Sequence, residues 1–427
     1  MLKTYQTAQL FDLLSCSAVF FSVFLIASSA SAAKYYVATN GSDSNSGTSE
    51  SSPFRSIQHA LDLVQAGDTV YVRGGIYYED FWITKSGAQG SPITLSGYPG
   101  ERPVLDFQSS AINNTIRGLN LQNASDYKLP IGWIVIQGFE IVHGWNGISF
   151  SNLHDSVIRH NIIHDSVEAG ILGNGYRVTI DGNIDYHNGY DSNGKTTGTS
   201  VGGRDIVYGM YLTGTYFTIT NNIISSNTGY GIQMAAYTFG DFSGSYLDHF
   251  AGTEYSNAQN WFVANNVFAY NGKVGIEVWN GNGSASDDTF ENNIFYENCQ
   301  GYTETCGGGD QGIDFYHSNG GHVLRNNMGY SSAGLSLVGG AIGDVTFSGE
   351  NPTLMTWSGE KDGVNPLFIN PSNFDFHLQS NSPAIDAGTS QQAPSVDFDG
   401  NSRPAGNEYD IGAYEYGGSG SATPAPS

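Results

Sequence analysis

The sequence predicts an all-β solenoid, in which short parallel strands are wound into stacked coils. A phrase of Gly, an apolar residue, any residue and another apolar residue returns at intervals of 22 or 23 residues, lengthened in places by insertions. The phrase begins at Gly147, Gly170, Gly209, Gly231, Gly275, Gly312 and Gly334. Such a unit cannot bury its apolar side chains alone, so stacking of successive units is expected.

A second phrase, apolar residues leading into an Asn, interleaves with the first. Its asparagines are Asn161, Asn183, Asn222, Asn266, Asn293 and Asn327. Amides stacked at one turn of a solenoid can form a hydrogen-bonded ladder, as in cross-β assemblies. We therefore expect a structural role for this column.

The N-terminal residues 1–32 predict a secretory signal peptide. Lys3 precedes an apolar stretch over 18–27, and Ala30-Ser31-Ala32 provides a small-residue cleavage site. The alternative is an uncleaved N-terminal anchor. No later segment approaches twenty apolar residues, which predicts no membrane span after signal removal. A monomer that is secreted, periplasmic or held at the cell surface is expected.

Four further segments are predicted. Residues 33–110 form N-terminal entry strands with a capping helix, because Phe54, Ile57, Leu61 and Val64 recur at helical spacing after Pro53. Residues 111–350 form the repeat body, 351–416 a closing segment, and 417–427 a disordered Gly/Ser/Pro tail. Insertions interrupt the body at 185–205, 237–260 and 296–311, and the second is long enough to be a degenerate coil.

The formal net charge of −24, with only 16 Lys and Arg, argues against nucleic acid as a partner. An acidic polysaccharide remains possible if a hard cation such as Ca²⁺ bridges the two surfaces. The alternative is that the charge serves solubility alone.

Two cysteines remain after the signal segment, Cys299 and Cys306, within a Gly/Thr-rich insertion. Their proximity predicts a local disulfide in an oxidising compartment. Free thiols are the alternative.

Candidate functional residues follow from the outward side of the Gly phrase, because neighbouring side chains of a strand point in opposite directions. The outward column reads Ser149, Leu172, Tyr211, Gln233, Glu277, Asp314 and Ser336. Glu277 should therefore stack near Asp314, Trp279 near Tyr316 with His317 adjacent, and Lys273 near Asp310. Closely stacked carboxylates repel unless one is protonated or a cation lies between them. We predict that Glu277, Asp310 and Asp314 hold a metal and that Trp279, Tyr316 and His317 bind carbohydrate. The alternative is a solvated polar face.

Most of the mature chain resembles secreted right-handed parallel β-helix proteins of the pectin lyase type. The resemblance rests on Tyr35-Tyr36-Val37, Ser52-Pro53-Phe54, the segment 66–70, and the closing segments 382–388 and 410–415. It implies a right-handed parallel β-helix with an N-terminal capping helix.

A narrower resemblance is to the family-nine pectate lyases, whose D-D-G-x-D phrase holds calcium. Here that phrase reads Asp310-Gln311-Gly312-Ile313-Asp314, so Gln311 departs from it. The family's lysine base lies one coil later in a G-x-K-L-G-G-like phrase, where this chain has Ser336. Serine lacks the amine that would accept the proton, so Lys273 is the candidate base.

Three functions stay open on the sequence alone. The first is a calcium-assisted lyase that acts on a uronate-containing glycan, with Lys273 as base. The second is a glycoside hydrolase that uses Glu277 and Asp314. The third is a non-catalytic carbohydrate-binding or cell-surface protein.

Overall fold

Three parallel sheets run side by side along the chain, and successive coils contribute strands to each of them. The computed structural model describes residues 31–108, 118–123, 125–126, 129–190, 207–236, 257–281, 283–299, 310–342, 345–348 and 355–418. Within it, Ala32–Ser427 form one compact unit. The predicted parallel β-helix is confirmed.

Sheet 1 contains the strands of the Gly phrase and the shorter strands that pair alongside them. They are β4 (Phe81–Ile83), β7 (Leu119–Leu121), β8 (Ile131–Gly132), β11 (Asn146–Arg159), β13 (Ala169–Asp181), β15 (Tyr208–Thr215), β18 (Tyr230–Ala236), β19 (Ala258–Gln259), β22 (Ile276–Asn280), β23 (Ala285–Ser286), β26 (Asp310–Ser318) and β29 (Ser336–Ile342). The C-terminal parts of β11 and β13 bend round a corner into sheet 2.

Sheet 2 follows that corner. It is formed by β1 (Lys34–Val37), β2 (Thr69–Val72), β5 (Ile93–Gly97), β9 (Ile134–Gln137), β16 (Thr218–Thr220), β20 (Phe262–Ala264), β24 (Thr289–Glu291), β27 (His322–Arg325) and β31 (Met355–Ser358).

Among the described residues, sheet 3 consists of ten short strands, which close the coils. They are β3 (Ile76–Tyr77), β6 (Val104–Asp106), β10 (Glu140–Val142), β12 (Ile162–His164), β14 (Ile184–Tyr186), β17 (Ile223–Ser225), β21 (Val267–Ala269), β25 (Ile294–Tyr296), β28 (Met328–Tyr330) and β32 (Lys361–Asp362).

The predicted alternation of inward and outward residues in sheet 1 is confirmed through β26. Ile232, Ile276 and Ile313 lie in register and are fully buried in the central core. The outward column pairs Ser149 with Leu172, and the same pairing continues through Tyr211, Gln233 and Glu277 to Asp314.

At the last coil the predicted register is wrong. Ser336 pairs with Asp310, and Gly339 takes the position opposite Asp314. The cause is an irregularity between Asp310 and Ile313 that shifts the pairing of β26 with β29. β29 also pairs antiparallel with β30 (Val345–Ser348), so the regular winding of sheet 1 ends here.

The asparagine column forms the ladder that the repeat predicts. Each of Asn161, Asn183 and Asn222 donates its side-chain amide and its backbone N–H to the side-chain oxygen of the next Asn, at 2.8–3.1 Å. The chain of amides runs on through Asn266 and Asn293 to Asn327. These bonds satisfy buried backbone groups at a turn that no strand can pair.

A second amide ladder was not predicted from the sequence. It joins Asn188, Asn227, Asn271 and Asn298 at the turn between sheets 3 and 1. Gln311 ends the ladder, because its side-chain oxygen accepts hydrogen bonds from the backbone N–H and the side-chain amide of Asn298, both at 3.3 Å. The residue that departs from the family's acidic phrase therefore has a structural role in this chain.

The predicted capping helix is α1, Ile57–Leu63. Ser56 caps its N-terminus by accepting a hydrogen bond from the backbone N–H of His59. Ile57, Leu61 and Val64 are buried in the same core as the first strands. The helix therefore covers the open end of the stack.

The closing segment covers the outer face of sheet 3. It contains the antiparallel pair β33 (Phe368–Asn370) and β34 (Asp375–Leu378), joined by a 3₁₀ turn over Pro371–Asn373. Its Phe376, Ile411 and Tyr414 form a second apolar cluster with outward residues of sheet 3 such as Ile223 and Val267. Asn265 ties the two together by donating to the carbonyls of Asp410 and Gly412.

Strand pairing crosses the domain limits predicted from sequence. β2 and β5 already belong to sheet 2 before residue 110, and β31 and β32 extend the stack beyond residue 350. β15 pairs directly with both β18 and β19, which flank the predicted insertion at 237–260, and residues 237–256 of that insertion lie outside the described residues.

Several predictions fall largely outside the described residues: the signal peptide at 1–32, the tail at 417–427 and Cys306. Cys299 is disulfide-bonded; its pairing with Cys306 stays a prediction. Within the ranges that are described, no helix is both long and apolar enough to span a membrane.

Candidate functional site

The acidic residues predicted from the outward column lie on the adjacent strands β22 and β26. Glu277 is directly opposite Asp314, and Trp279 is opposite Tyr316. Asp310 begins β26, four residues before Asp314. Adjacent strands lie about 4.8 Å apart, so the two paired carboxyl groups leave from neighbouring backbone positions.

Burial and mutual repulsion disfavour the charged forms of these acids. Burial, with a smaller contribution from the charge of Asp314, raises the pKa of Glu277 to about 7. Burial also raises the pKa of Asp310 to about 7, with added contributions from the charges of Asp314 and Glu277. The pKa of Asp314 is raised by burial. The cluster thus holds negative charge only at a cost that a bound cation would reduce.

Two glycines make room for the carboxyl groups. A Cβ atom at Gly339 would lie 2.9 Å from the Asp310 Cγ, and one at Gly340 would collide with Asp314 Oδ1. Asp310 Oδ2 is buried without a hydrogen-bond partner. The register shift at β29 is what brings this glycine pair under the two side chains.

Lys273 lies at the turn before β22 and is only 5% exposed. Its Nζ is 4.5 Å from the centre of the Tyr230 ring, on the preceding coil. Its charge lowers the pKa of Glu277, and Tyr230 also lowers it through a hydrogen bond to that carboxyl. Lys273 thus contacts the Tyr230 ring and interacts electrostatically with Glu277. Its predicted stacking on Asp310 stays a prediction.

The disulfide-bonded Cys299 borders the same cluster. Its backbone N–H donates to the carbonyl oxygen of Lys273 at 3.2 Å, and its Sγ lies 3.5 Å from the carbonyl oxygen of Asp310. Cys299 therefore contacts the backbone of two of the candidate residues.

The three predicted carbohydrate-binding residues line one cavity. It has a volume of about 610 Å³ and is bordered by Trp279, Tyr316 and His317, with Asn280, Gly281 and Gly283. Tyr316 is 48% exposed, and its ring packs edge-on to His317 at 4.7 Å. Flat, accessible aromatic faces are suited to stacking against sugar rings.

Sequence reasoning missed three residues at this site: Gln233, Tyr230 and Asn280. Gln233 donates to the Glu277 carboxylate, and Asn280 donates to the carbonyl oxygen of His317 at 3.1 Å. Gln233 stood in the outward column next to Glu277, which was a usable signal. Tyr230 precedes its Gly phrase and had none.

The described side chains do not already form a metal centre. In the part of the chain that the structure covers, no three His, Cys, Asp or Glu side chains converge as a metal-binding group. The case for a cation at Glu277, Asp310 and Asp314 therefore rests on their charge and on the unpartnered Asp310 Oδ2 atom.

Comparison with known families agrees with the winding of the chain. A family model described as "Pel9A-like, right handed beta helix region" matches residues 35–204, and one described as "Right handed beta helix region" matches 189–351. The right-handed winding implied by the sequence resemblance is confirmed.

Among curated relatives, pectate lyase L of Paenibacillus polymyxa is 26% identical over 380 residues, or 80% of this chain and 76% of that protein. Pectate lyase PEL9 of Emericella nidulans is 38% identical over 105 residues. That match, and another to a curated relative at 45% identity, each span a quarter or less of the relative's length. The crystal structure of pectate lyase Pel9A aligns with 90% of this chain and 97% of its own, at 17% identity and a TM-score of 0.50, which establishes the shared fold.

Proposed function

Because the chain is a right-handed parallel β-helix of the pectin lyase-like type, we propose that it is a secreted polysaccharide lyase acting on a uronate-containing glycan. The observation that carries the proposal is the register of β22 and β26. It stacks Glu277 on Asp314 and, two residues further along the same strands, Trp279 on Tyr316. A pair of acidic side chains thus adjoins a cavity lined by aromatic rings.

Calcium is the proposed cofactor, and Glu277, Asp310 and Asp314 would hold it. Carboxylate oxygens are the ligands that Ca²⁺ prefers. The Asp310 Oδ2 atom, which is buried without a hydrogen-bond partner, supports this choice. When bound there, calcium would neutralise the uronate carboxylate and make the neighbouring C–H proton more acidic.

The reaction would be a β-elimination. The base removes the proton α to the uronate carboxylate, the C–H electron pair forms a ring double bond, and the bond to the leaving glycosidic oxygen breaks. That oxygen leaves with the bonding pair and is protonated by water. Trp279 and Tyr316 would hold the sugar rings during this step.

Lys273 is the proposed base; its ammonium group would first release a proton to water, after which the neutral Nζ would accept the proton of the substrate. Its Nζ lies 4.5 Å from the centre of the Tyr230 ring, and its charge lowers the pKa of Glu277. The position on the next coil offers no alternative, since Gly339 stands opposite Asp314 and Ser336 opposite Asp310.

The test is an ultraviolet assay for unsaturated uronate products on pectate, alginate and glycosaminoglycans, with calcium or with a chelator. We expect a calcium-dependent rise on one of these substrates, lost by at least 100-fold in Lys273→Ala because a general base contributes roughly 10²–10⁴-fold. Lys34→Ala, at an exposed position of β1, is the matched control. No rise on any substrate with calcium present would refute the lyase proposal.

A glycoside hydrolase is a second candidate, favoured by the direct opposition of Glu277 and Asp314. Paired carboxyl groups about 5 Å apart are typical of retaining glycosidases. Reducing sugar released without unsaturation would favour this reaction. Glycan binding without either product would favour a non-catalytic protein.

A further inference from the structure

A row of aromatic side chains lies at the corner where sheet 1 turns into sheet 2, outside the candidate site. Trp133, His154, Tyr176 and Tyr216 come from four successive coils, whose strands β8, β11, β13 and β15 are paired in register. We call these four residues, with Asp155 and Arg177 between them, the aromatic corner.

Contacts between coils hold the aromatic corner together. The ring of Trp133 packs edge-on to His154 at 4.6 Å, and that of Tyr176 packs edge-on to Tyr216 at 5.4 Å. Arg177 links the two pairs, because its guanidinium lies 4.0 Å from the centre of the Tyr176 ring and binds both Asp155 oxygens at 2.7 and 2.9 Å. His154 completes the connection through its own contact with Asp155 at 2.9 Å.

The row is presented to solvent although its members pack on each other. Tyr216 is 49% exposed and the Arg177 side chain 52% exposed, while Trp133 and Tyr176 are half-buried. Trp133, Asp155, Arg177 and Tyr216 all have φ between 49° and 59°. That left-handed conformation is costly for non-glycine residues, and here it recurs at the same corner of each coil.

The chemistry of the aromatic corner suits a hydroxyl-rich ligand better than a protein partner. The aromatic corner occupies two neighbouring positions on each of the four coils. These eight positions hold Gly132, Thr215 and the six residues named above, and none of them is an aliphatic residue. A protein interface normally has an apolar core depleted of charge. Here the centre of the row is the Asp155–Arg177 ion pair, which offers hydrogen bonds between aromatic faces.

The position of the row links it to the candidate site. Tyr216 follows β15, and Trp279 lies two coils further along sheet 1. At about 4.8 Å per coil, the aromatic corner extends from roughly 10 to 24 Å along the solenoid axis from Trp279. A polysaccharide that occupies the cavity and runs toward the N-terminal coils would pass beside it.

We propose that the aromatic corner is a second glycan-binding surface, which holds the part of a uronate polysaccharide that extends beyond the cavity at Trp279 and Tyr316. The choice of a uronate polymer rests on the function proposed above; the binding surface does not depend on catalysis. The rings of Tyr216 and Trp133 stack on sugar faces, and Arg177 with Asp155 bonds to hydroxyl or carboxylate groups.

The experiment measures binding and turnover separately. Affinity electrophoresis in gels containing polygalacturonate gives binding to the polymer, and calorimetry with trigalacturonate gives binding to a short chain. The variants are Tyr216→Asn, which tolerates the left-handed backbone, Tyr216→Phe, which keeps the ring, and Arg177→Ala. Tyr78→Ala, at a 60% exposed tyrosine elsewhere, is the control.

We expect Tyr216→Asn and Arg177→Ala to weaken binding of the polymer about three- to tenfold, as loss of one stacked ring predicts, and to leave trigalacturonate binding unchanged. Tyr216→Phe and Tyr78→Ala should match the wild type. Polymer binding that is equal in all variants would overturn the proposal, even if the protein cleaves the polymer. Concentration-dependent self-association that Tyr216→Asn abolishes would instead assign the corner to a second copy of the chain and also overturn it. Reduced polymer binding without any turnover would support the corner and refute the lyase.

Discussion

Glu277 and Asp314 stand directly opposite each other on adjacent coils, and both side chains leave the same face of sheet 1. Asp310 belongs to the same electrostatic group, since the charges of Asp314 and Glu277 both raise its pKa. Lys273 opposes this effect at Glu277, where its positive charge lowers the pKa. The balance of these charges sets the chemistry available beside the Trp279 cavity.

Asp314→Asn tests this coupling directly. We expect the variant to lower the pKa of Asp310 from its value of about 7, because the charge of Asp314 is the largest cause of its elevation after burial. Carboxyl chemical shifts of ¹³C-labelled aspartate, followed against pH, measure the change. Asp43→Asn, in the exposed N-terminal segment, is the control and should leave that midpoint in place. A midpoint unchanged in Asp314→Asn would show that the two carboxyl groups do not interact.

Calcium affinity is expected to depend steeply on pH. Glu277 and Asp310 have pKa values of about 7, so both are protonated well below that pH and must lose their protons to bind a cation. Calorimetric titration with CaCl₂ should show weak binding at pH 6 and tighter binding at pH 8, with up to about tenfold per pH unit for each proton displaced.

Asp310→Asn is the matched variant for that titration. It removes one ionising ligand while it keeps the side-chain shape, so its affinity should be lower at pH 8 and change less between pH 6 and 8. Equal wild-type affinity at the two pH values would contradict binding through these carboxylates.

The sequence predicted the outward column correctly from Ser149 to Asp314 because each Gly phrase keeps the same phase of inward and outward residues. The predicted register was wrong at Ser336, because an irregularity within β26 changes the pairing with β29 without changing the Gly phrase. The room that Gly339 and Gly340 leave for the Asp310 and Asp314 side chains depends on that shifted register, so no local sequence pattern could have indicated this arrangement. Likewise, the contact of Lys273 with Tyr230 joins residues 43 positions apart in sequence across an insertion of unpredictable path.

The end of the first asparagine ladder gives a pH-dependent stability. Glu360 accepts hydrogen bonds from the backbone N–H of Asn327 at 3.0 Å and from its side-chain amide at 3.4 Å, and burial raises its pKa to about 8. A carboxyl group with a raised folded-state pKa favours folding below its unfolded pKa of about 4.5 and loses that advantage as the pH rises toward 8. The melting temperature of the wild type should therefore fall across that range.

Glu360→Gln isolates this effect, because glutamine keeps an accepting oxygen and does not ionise. We expect it to match the wild type near pH 4.5 and to melt at a progressively higher temperature as the pH approaches 8. Glu360→Ala should be destabilised by about 1–3 kcal/mol, since the N–H of Asn327 loses its acceptor. Parallel pH dependence of the wild type and Glu360→Gln would mean that another group causes it.

The interior of the ladder should be less tolerant still. Asn222 donates to the carbonyl oxygens of Ile180 and Thr220 and to Asn266 Oδ1, and its own Oδ1 accepts from Asn183. Asn222→Ala removes all of these bonds in a fully buried turn, and each group left unsatisfied costs about 1–3 kcal/mol. We therefore expect destabilisation of at least about 3 kcal/mol, measured as a lower denaturation midpoint and as faster amide exchange at Asn183. Asn40→Ala, at an exposed position of the N-terminal segment, is the control and should stay within about 0.5 kcal/mol of the wild type. An equally small effect of Asn222→Ala would show that neighbouring coils can close the turn without the amide ladder.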